Sequence, residues 1–367
     1  MSKIGLLTLH FGANYGGTLQ CIALYKILKG YGHEVDVIDF KPEHVCSPFK
    51  RLLYNVSSLR SFKDLLGLFK RKSSASYNVL NQNLCHIFDV YRHQQLSFTK
   101  SCNETSIAEI AKSYEVVVVG SDQVWSSLVR THLSYMGDWT PSFIGNLYSY
   151  AACATTLKFP FVRKHKIKNL LCKFCAISVR DEYSKKFVQQ FIPKNNIRID
   201  LDPTLLYSFD EIIPSKTVLG KYILVYVLGK EIPGGNKKAI DRLKNLIDKN
   251  IKVIALSVYE ENVSYADETI KNASPSEWMW YIKNAQFVFT DSFHGEVFSI
   301  KFNKDFYVYY AEENRASRII DLSHLFHVED RMITNVEDIN GSFKKQIDRD
   351  DFKKAKEASL SYLKEIK

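Results

Sequence analysis

The sequence predicts an α/β protein made of two domains in series, each a sheet with helices, facing each other across a cleft. Three observations predict it. Apolar runs of strand length alternate with stretches of helical periodicity. The alternation restarts after a break at Asp202-Pro203-Thr204. The chain has 367 residues, which at about 150 per domain hold two ordinary cores. With 46% hydrophobic and 25% charged residues, disordered, collagenous and coiled-coil classes are excluded.

The first domain, 1–203, opens on an apolar run at 4–9 that enters the turn His10-Phe11-Gly12-Ala13-Asn14-Tyr15-Gly16-Gly17. Leu19, Ile22, Ala23, Ile27 and Leu28 recur at helical spacing and predict a helix over 17–30. Gly30 and Gly32 stop it, and 34–40 alternates as a strand. Strand, turn, helix and strand form one βαβ unit, for which a right-handed crossover is expected. Residues 42–112 are less regular and read as an insert of helices and loops. The next strand, 114–119, is nearly all Val, as a strand buried on both faces would be, and runs into Gly120-Ser121-Asp122-Gln123. Residues 147–152, 175–179 and 196–200 supply three more strands.

The second domain, 204–345, repeats the alternation. Strands are predicted at 222–228, 252–258, 286–290 and 305–310, and helices at 236–248, from 275, up to 301 and over 315–326. Ser274 offers a cap, with Pro275 at the first helical position. The tail, 346–367, reads as a polar amphipathic helix that packs back on the first domain. Ligands of such sheets lie beyond the carboxyl ends of the strands, which directs attention to the cleft.

Fifty Lys and Arg against 40 Asp and Glu leave a net charge of +10, which suits an anionic partner. Residues 48–72 hold seven basic side chains against the single acid Asp64, interleaved with Phe and Leu. This segment reads either as a contact for an anionic membrane surface or lipid-linked acceptor, or as a solvated helical insert. Nucleic-acid binding has only the charge behind it and is not expected. The opening residues lack a signal-peptide h-region, and no apolar run is long enough to span a bilayer. A cytoplasmic protein, at most peripheral at the inner membrane face, is expected. Seven scattered cysteines then read as reduced thiols, and Cys172-Lys173-Phe174-Cys175 as core thiols, since a zinc site needs a second pair. Asp200-Leu201-Asp202 has the spacing of a metal-binding pair but runs into Pro203, and reads as structural. No metal and no cofactor are expected.

Four places have residues suited to chemistry, each with a plainer reading beside it. The first glycine turn fits neither the dinucleotide fingerprint nor the P-loop. It is either a tight strand-to-helix turn or a place where Asn14 and Tyr15 meet sugar or phosphate. Asp291-Ser292-Phe293-His294-Gly295 sets a histidine at a strand-to-helix turn, where free amides and the macrodipole favour an anion. His294 there can donate to phosphate and move a proton, or simply cap the helix. Arg180 ends a strand and either offers its fork to a carboxylate or phosphate, or pairs with Asp181, Glu182 or another local acid. Asp122 is a base or sugar-hydroxyl ligand, or else closes an Asx turn.

Seven stretches in one order resemble the polysaccharide pyruvyltransferase family. They are Asn14-Tyr-Gly-Gly-Thr-Leu-Gln20, Gly120-Ser-Asp-Gln-Val-Trp125, Tyr148-Ser-Tyr-Ala-Ala152, Ser178-Val-Arg-Asp-Glu182, Asp202-Pro-Thr-Leu-Leu206, Thr290-Asp-Ser-Phe-His-Gly295 and Ser317-Arg-Ile319. The resemblance implies two Rossmann-like domains facing across a cleft, as in glycosyltransferases of type B. It implies transfer of pyruvate from phosphoenolpyruvate to two hydroxyls of a sugar, with a cyclic ketal formed and phosphate released. On that basis Arg180, Ser292, His294, Gly295 and Arg318 fall on the donor side, with His294 as acid and Arg180 as anion clamp. Asn14, Tyr15, Asp122 and Gln123 fall on the side of the acceptor, a sugar or lipid-linked oligosaccharide. A type-B glycosyltransferase using a nucleotide sugar, and a non-catalytic glycan- or membrane-binding relative, remain open beside it.

Overall fold

Four β-branched valines in succession, Val116 to Val119, are stiff at χ1 and suit a pleated strand with both faces covered. They form β3 (Val116–Asp122), which is buried along its whole length. It lies between β1 (Lys3–Leu7) and β4 (Asn146–Ala152), parallel to both. With β2 (Glu34–Val37), β5 (Ile177–Val179) and β6 (Ile197–Ile199) it makes a six-stranded sheet in the order β2-β1-β3-β4-β5-β6. The computed structural model describes residues 1–43, 81–126, 132–155, 157, 163–192, 196–217, 220–259, 262–310, 313–342 and 347–367. The basic stretch 48–72 and Cys46 lie outside the described residues.

The second sheet is also all parallel, in the order β12-β11-β10-β7-β8-β9. Its strands are β7 (Tyr222–Tyr226), β8 (Lys252–Leu256), β9 (Glu268–Ile270), β10 (Phe287–Thr290), β11 (Asp305–Tyr309) and β12 (Met332–Ile333). The edge strands β9 and β12 escape the sequence reading because they are three and two residues long, too short for any period to show. β3 continues through Gly120 and Ser121 to Asp122, past the predicted end at 119.

Helix α1 (Tyr15–Gly30) starts two residues before the expected 17, because Asn14 caps it: its Oδ1 accepts from Gly17 N at 3.0 Å. The insert supplies α2 (Gln82–Gln95) and α3 (Ile107–Ala111). After α4 (Lys164–Leu171) and α5 (Glu182–Gln189) the chain reaches α6 (Pro203–Leu206), a single turn with Pro at its start. The second half adds α7 (Asn236–Ile247), α8 (Pro275–Asn284), α9 (Phe293–Lys301) and α10 (Glu313–Leu325). Cys172 and Cys175, expected in the core, are both exposed, since Leu171 and Phe174 take the inward positions between α4 and β5. The six cysteines among the described residues are free.

One continuous apolar core joins the halves. Tyr15 of α1 stacks on Trp278 of α8 at 5.2 Å and meets Phe88 of α2 and Tyr226 of β7 edge-on. Its hydroxyl donates to Ala273 O at 2.8 Å. The last helix, α11 (Asp350–Glu365), returns to the first sheet: Tyr362 Oη donates to Ser149 O at 2.9 Å, and Leu201 N donates to Ser359 Oγ at 3.0 Å. Packing of this kind across both halves fixes the width of the cleft. Among the described residues no helix is long and apolar enough to cross a membrane.

Candidate active site

All strands within a sheet point the same way, so their carboxyl ends share one edge, and loops from those edges meet in the cleft. Asn14 and Gly16 follow β1, Asp122 and Gln123 end and follow β3, Arg180 follows β5, and Ser292 and His294 follow β10. Arg318 enters from α10. Asn14, Gly16, Asp122, Gln123, Ser292, His294 and Arg318 border a cavity of about 450 Å³, while Arg180 lines an adjoining cavity of about 210 Å³ that shares Phe293 and Arg318 with it. The far wall is more apolar, built from Tyr226, Leu228, Val258 and Tyr259.

The turn that presents His294 is tied at each residue. Thr290 Oγ1 donates to Tyr226 O at 2.6 Å and accepts from Ser292 N at 3.1 Å. The Asp291 carboxylate accepts from Leu228 N and Gly229 N, both at 2.7 Å, which clamps the end of β10 to the end of β7. Ser292 caps α9, its Oγ accepting from Gly295 N at 3.3 Å. His294 therefore stands in the first turn of a helix, facing the other half of the protein. A Cβ on Gly16 would lie 1.9 Å from its Nδ1, so the first glycine turn approaches the imidazole as closely as a bare backbone allows.

Arg180 is almost wholly buried at the carboxyl end of β5, its side chain 3% exposed. Its Nη2 lies 2.9 Å from Asp202 Oδ2 and donates to Ser121 Oγ, while Nη1 lies 3.7 Å from Asp122 Oδ1. The acid next to it in sequence, Asp181, caps α5 instead, accepting from Ser184 N at 2.6 Å. Among the described residues Nε and Nη1 of Arg180 have no hydrogen-bond partner, which leaves buried donors for a ligand. The guanidinium carbons of Arg180 and Arg318 lie over the Phe293 ring, 5.3 and 5.6 Å from its centroid. With its amide oxygen turned to Arg318, Gln123 accepts from both Nη1 and Nη2 at 2.8 Å.

Asp202 connects the two halves of the site. Its side chain is fully buried, with Oδ2 2.9 Å from Arg180 Nη2 and 3.5 Å from His294 Nε2. Oδ1 accepts from Thr204 N at 2.9 Å and from Thr204 Oγ1 at 2.5 Å. Burial pushes this carboxyl up, but the Arg180 guanidinium and then His294 outweigh it and hold it well below the usual range. Burial also works against the Arg180 charge, and the facing acids, Asp202 first, raise its pKa above the ordinary arginine value. The pair is therefore ionised at neutral pH. Asp200-Leu201-Asp202, read as structural, is tied down at both acids: Asp202 caps α6 and pairs with Arg180, and Asp200 is held by Arg198 Nη2 at 3.0 Å.

Asp122 adopts φ of 71°, a conformation that non-glycine residues rarely take. Its carbonyl, accepting from Val124 N and Cys153 N at 2.8 Å each, holds it there. Such strain is characteristic of functional positions. Three expected site residues are not on the wall of the larger cavity: Arg180, which lines the adjoining one, Tyr15 and Gly295. Tyr15 is buried in the core with its hydroxyl on Ala273, and Gly295 packs its α-carbon on Thr290, where a Cβ would lie 2.4 Å from Oγ1. Among the described residues no group of three or more His, Cys, Asp or Glu is placed to hold a metal.

Fold and site together define a class: two Rossmann-like domains facing across a cleft, the glycosyltransferase-B-like arrangement, with cations gathered where the sheets meet. The UDP-GlcNAc 2-epimerase of Methanocaldococcus jannaschii has a similar fold, with a TM-score of 0.52 at 12% identity over 98% of this chain and 99% of that one. The UDP-GlcNAc 2-epimerase of Neisseria meningitidis aligns at 0.48 and 10% identity, over 100% and 95%. No curated protein is recognisably similar in sequence. The chain belongs to the polysaccharide pyruvyl transferase family, whose profile matches residues 14–312. It is accordingly a transferase acting on polysaccharide. The match takes in Asn14, Asp122, Arg180, Asp202 and His294, and ends just before Arg318.

Proposed function

We propose that the chain transfers the pyruvyl group of phosphoenolpyruvate to two hydroxyls of one sugar, in a polysaccharide or its lipid-linked precursor. The observation that carries this reading is that Arg318 and His294, both from the second half, share one cavity with Asp122 of the first, while Arg180 stands beside it on an adjoining cavity that Arg318 also lines. Phosphoenolpyruvate carries a carboxylate and a phosphate on the same carbon. Two guanidinium groups answer those two anions, and Nε and Nη1 of Arg180 are buried donors without a hydrogen-bond partner among the described residues.

The chemistry then runs in two stages. His294 gives a proton to the methylene carbon, whose π electrons form the new C–H bond, and positive charge develops at the central carbon. A sugar hydroxyl attacks that carbon, its proton passing to the Asp122 carboxylate. The second hydroxyl attacks the same carbon, its proton passing to the His294 nitrogen left bare in the first stage, and the bond to phosphate oxygen breaks. Phosphate leaves with its negative charge held by Arg180 and Arg318, and the ketal closes. Asn14 and Gln123 serve the acceptor side, and the more apolar wall of Tyr226, Leu228, Val258 and Tyr259 gives a sugar ring a face to lie on. The net charge of +10 suits a lipid-linked acceptor at an anionic inner membrane face.

A thermal-shift titration with phosphoenolpyruvate beside nucleotide sugars, on wild type and Arg318→Ala, tests the donor. A ligand at a hundredfold excess over its Kd stabilises the native state by about 2.7 kcal/mol. The expected result is a shift with phosphoenolpyruvate that Arg318→Ala weakens, followed by phosphate release when acceptor glycans are added. A shift with nucleotide sugars alone would replace this reading with glycosyl transfer. No shift with either donor, together with glycan binding, would make the chain a binding module.

A further inference from the structure

The cluster around Asp202 goes beyond donor binding. Asp202 stands at the link between the sheets, as the cap of α6, and faces one residue from each half: Arg180 after β5 and His294 after β10. Its Oδ1 is fixed by the backbone and hydroxyl of Thr204, so the carboxylate has one orientation and only Oδ2 to offer. His294 Nε2 is shielded from solvent and lies 3.5 Å from that oxygen, and among the described residues neither atom has a hydrogen-bond partner, so each is the nearest polar group of opposite kind left to the other across the seam. Nδ1 is turned to Gly16, a wall residue of the cavity.

We infer that Asp202 is a positioning residue: its buried carboxylate keeps a proton on His294 Nε2 and thereby makes Nδ1 the atom that meets the substrate. The inference rests on the pyruvyl-transfer reading for the reaction it serves. In that reaction the proton leaves Nδ1 for the methylene carbon, the Nδ1 lone pair is left behind, and Nε2–H stays on Asp202. The same carboxylate orients Arg180, so the acid and the anion clamp share one anchor and take their spacing from it. The other charged groups around this histidine are Arg180 and Asp122 from the first sheet, Arg318 from α10, and Asp291 on its own turn. Among the described residues Asp202 is the acid that comes within 4 Å of an imidazole nitrogen of His294.

The test is ¹⁵N NMR of the full chain labelled at histidine, with His294 assigned by the signal missing from His294→Gln. In the wild type, neutral His294 is expected to show a protonated Nε2 and a bare Nδ1. In Asp202→Asn, which keeps an oxygen for Thr204, the neutral form of His294 should become a mixture of tautomers. Asp200→Asn, a buried acid next door that pairs with Arg198, should leave the tautomer as it is in the wild type. Wild-type His294 with its proton on Nδ1 would overturn the inference, even if Asp202→Asn did not fold. So would a folded Asp202→Asn with an unchanged tautomer. Because the NMR needs no turnover, failure of the pyruvyl-transfer reading and failure of this one are told apart.

Discussion

Gly16 and His294 are in contact across the cleft: a methyl group on Gly16 would lie 1.9 Å from Nδ1 of the imidazole. The two residues come from opposite halves, one at the start of α1 and one at the start of α9. Gly16→Ala should therefore act on His294 rather than on α1. Alanine favours a helix by about 1 kcal/mol over glycine, which offsets part of the roughly 1–3 kcal/mol that overpacking costs. A small change in melting temperature is expected, with a fall in turnover of about a hundredfold, the usual consequence of moving a catalytic group by an ångström. At Gly17 the nearest atom to an added Cβ is 3.2 Å away, on Asn14, so Gly17→Ala should be the milder variant. Equal losses from the two would mean that the loop, and not the imidazole, responds.

Arg318 is paired with a neutral oxygen. Gln123 accepts from both guanidinium nitrogens at 2.8 Å, as a substrate carboxylate or phosphate would. Gln123→Glu supplies a permanent anion of nearly the same shape, and charge-assisted bonds are about twice as strong as neutral ones. The variant should keep its fold and bind phosphoenolpyruvate or inorganic phosphate about ten- to a hundredfold more weakly, as read by calorimetric titration. Unchanged anion affinity would take Arg318 out of the donor site.

Acid stability has a separate source outside the cleft. Burial pushes the Asp39 carboxyl up, but a 2.9 Å contact with His10 Nε2 and a 3.1 Å contact with Lys41 Nζ outweigh it and bring it down to about 2. The folded value lies below the unfolded one, so this group stabilises the protein above about pH 4 and loses that effect as pH falls toward 2. Asp39→Asn should lower stability by about 1–2 kcal/mol at pH 7. In urea unfolding followed from pH 7 to pH 2.5 the difference from wild type should persist down to about 4 and then shrink. A gap independent of pH would show that the loss is one of packing.

The alternation of strand and helix was legible because buried parallel strands are continuous apolar runs and the helices between them keep their period. The site was legible in part, and the part depends on where the information lies. Arg180, Asp122 and His294 each end a strand or open a helix, a local position that sequence shows. Asp202 also looks local, a cap before Pro203, and its contacts with Arg180 and His294 exist only once the two halves are packed. Cys172 and Cys175 were misread because an apolar neighbourhood does not say which of its members faces inward, and Leu171 and Phe174 do. The edge strands β9 and β12 have too few residues to establish a period.

Tyr15 separates a motif residue from a site residue. It sits between Asn14 and Gly16, which line the cavity, yet its ring stacks on Trp278 and its hydroxyl donates to Ala273 O at 2.8 Å. Burial pushes the phenol well above its ordinary value, so it stays neutral and acts as a donor only. Tyr15→Phe keeps the stack and removes one buried hydrogen bond, leaving the Ala273 carbonyl without that donor. The expected result is a loss of about 1 kcal/mol in stability. KM for acceptor and donor should stay within about twofold, because the phenol does not line the cavity. Asn14→Ala, by contrast, removes both the cap of α1 and a wall residue, and should raise the acceptor KM while costing about 1 kcal/mol in stability. If Tyr15→Phe raised the acceptor KM as much as Asn14→Ala does, the phenol would have to leave Ala273 for the sugar during turnover, and the core that joins the two sheets would open with it.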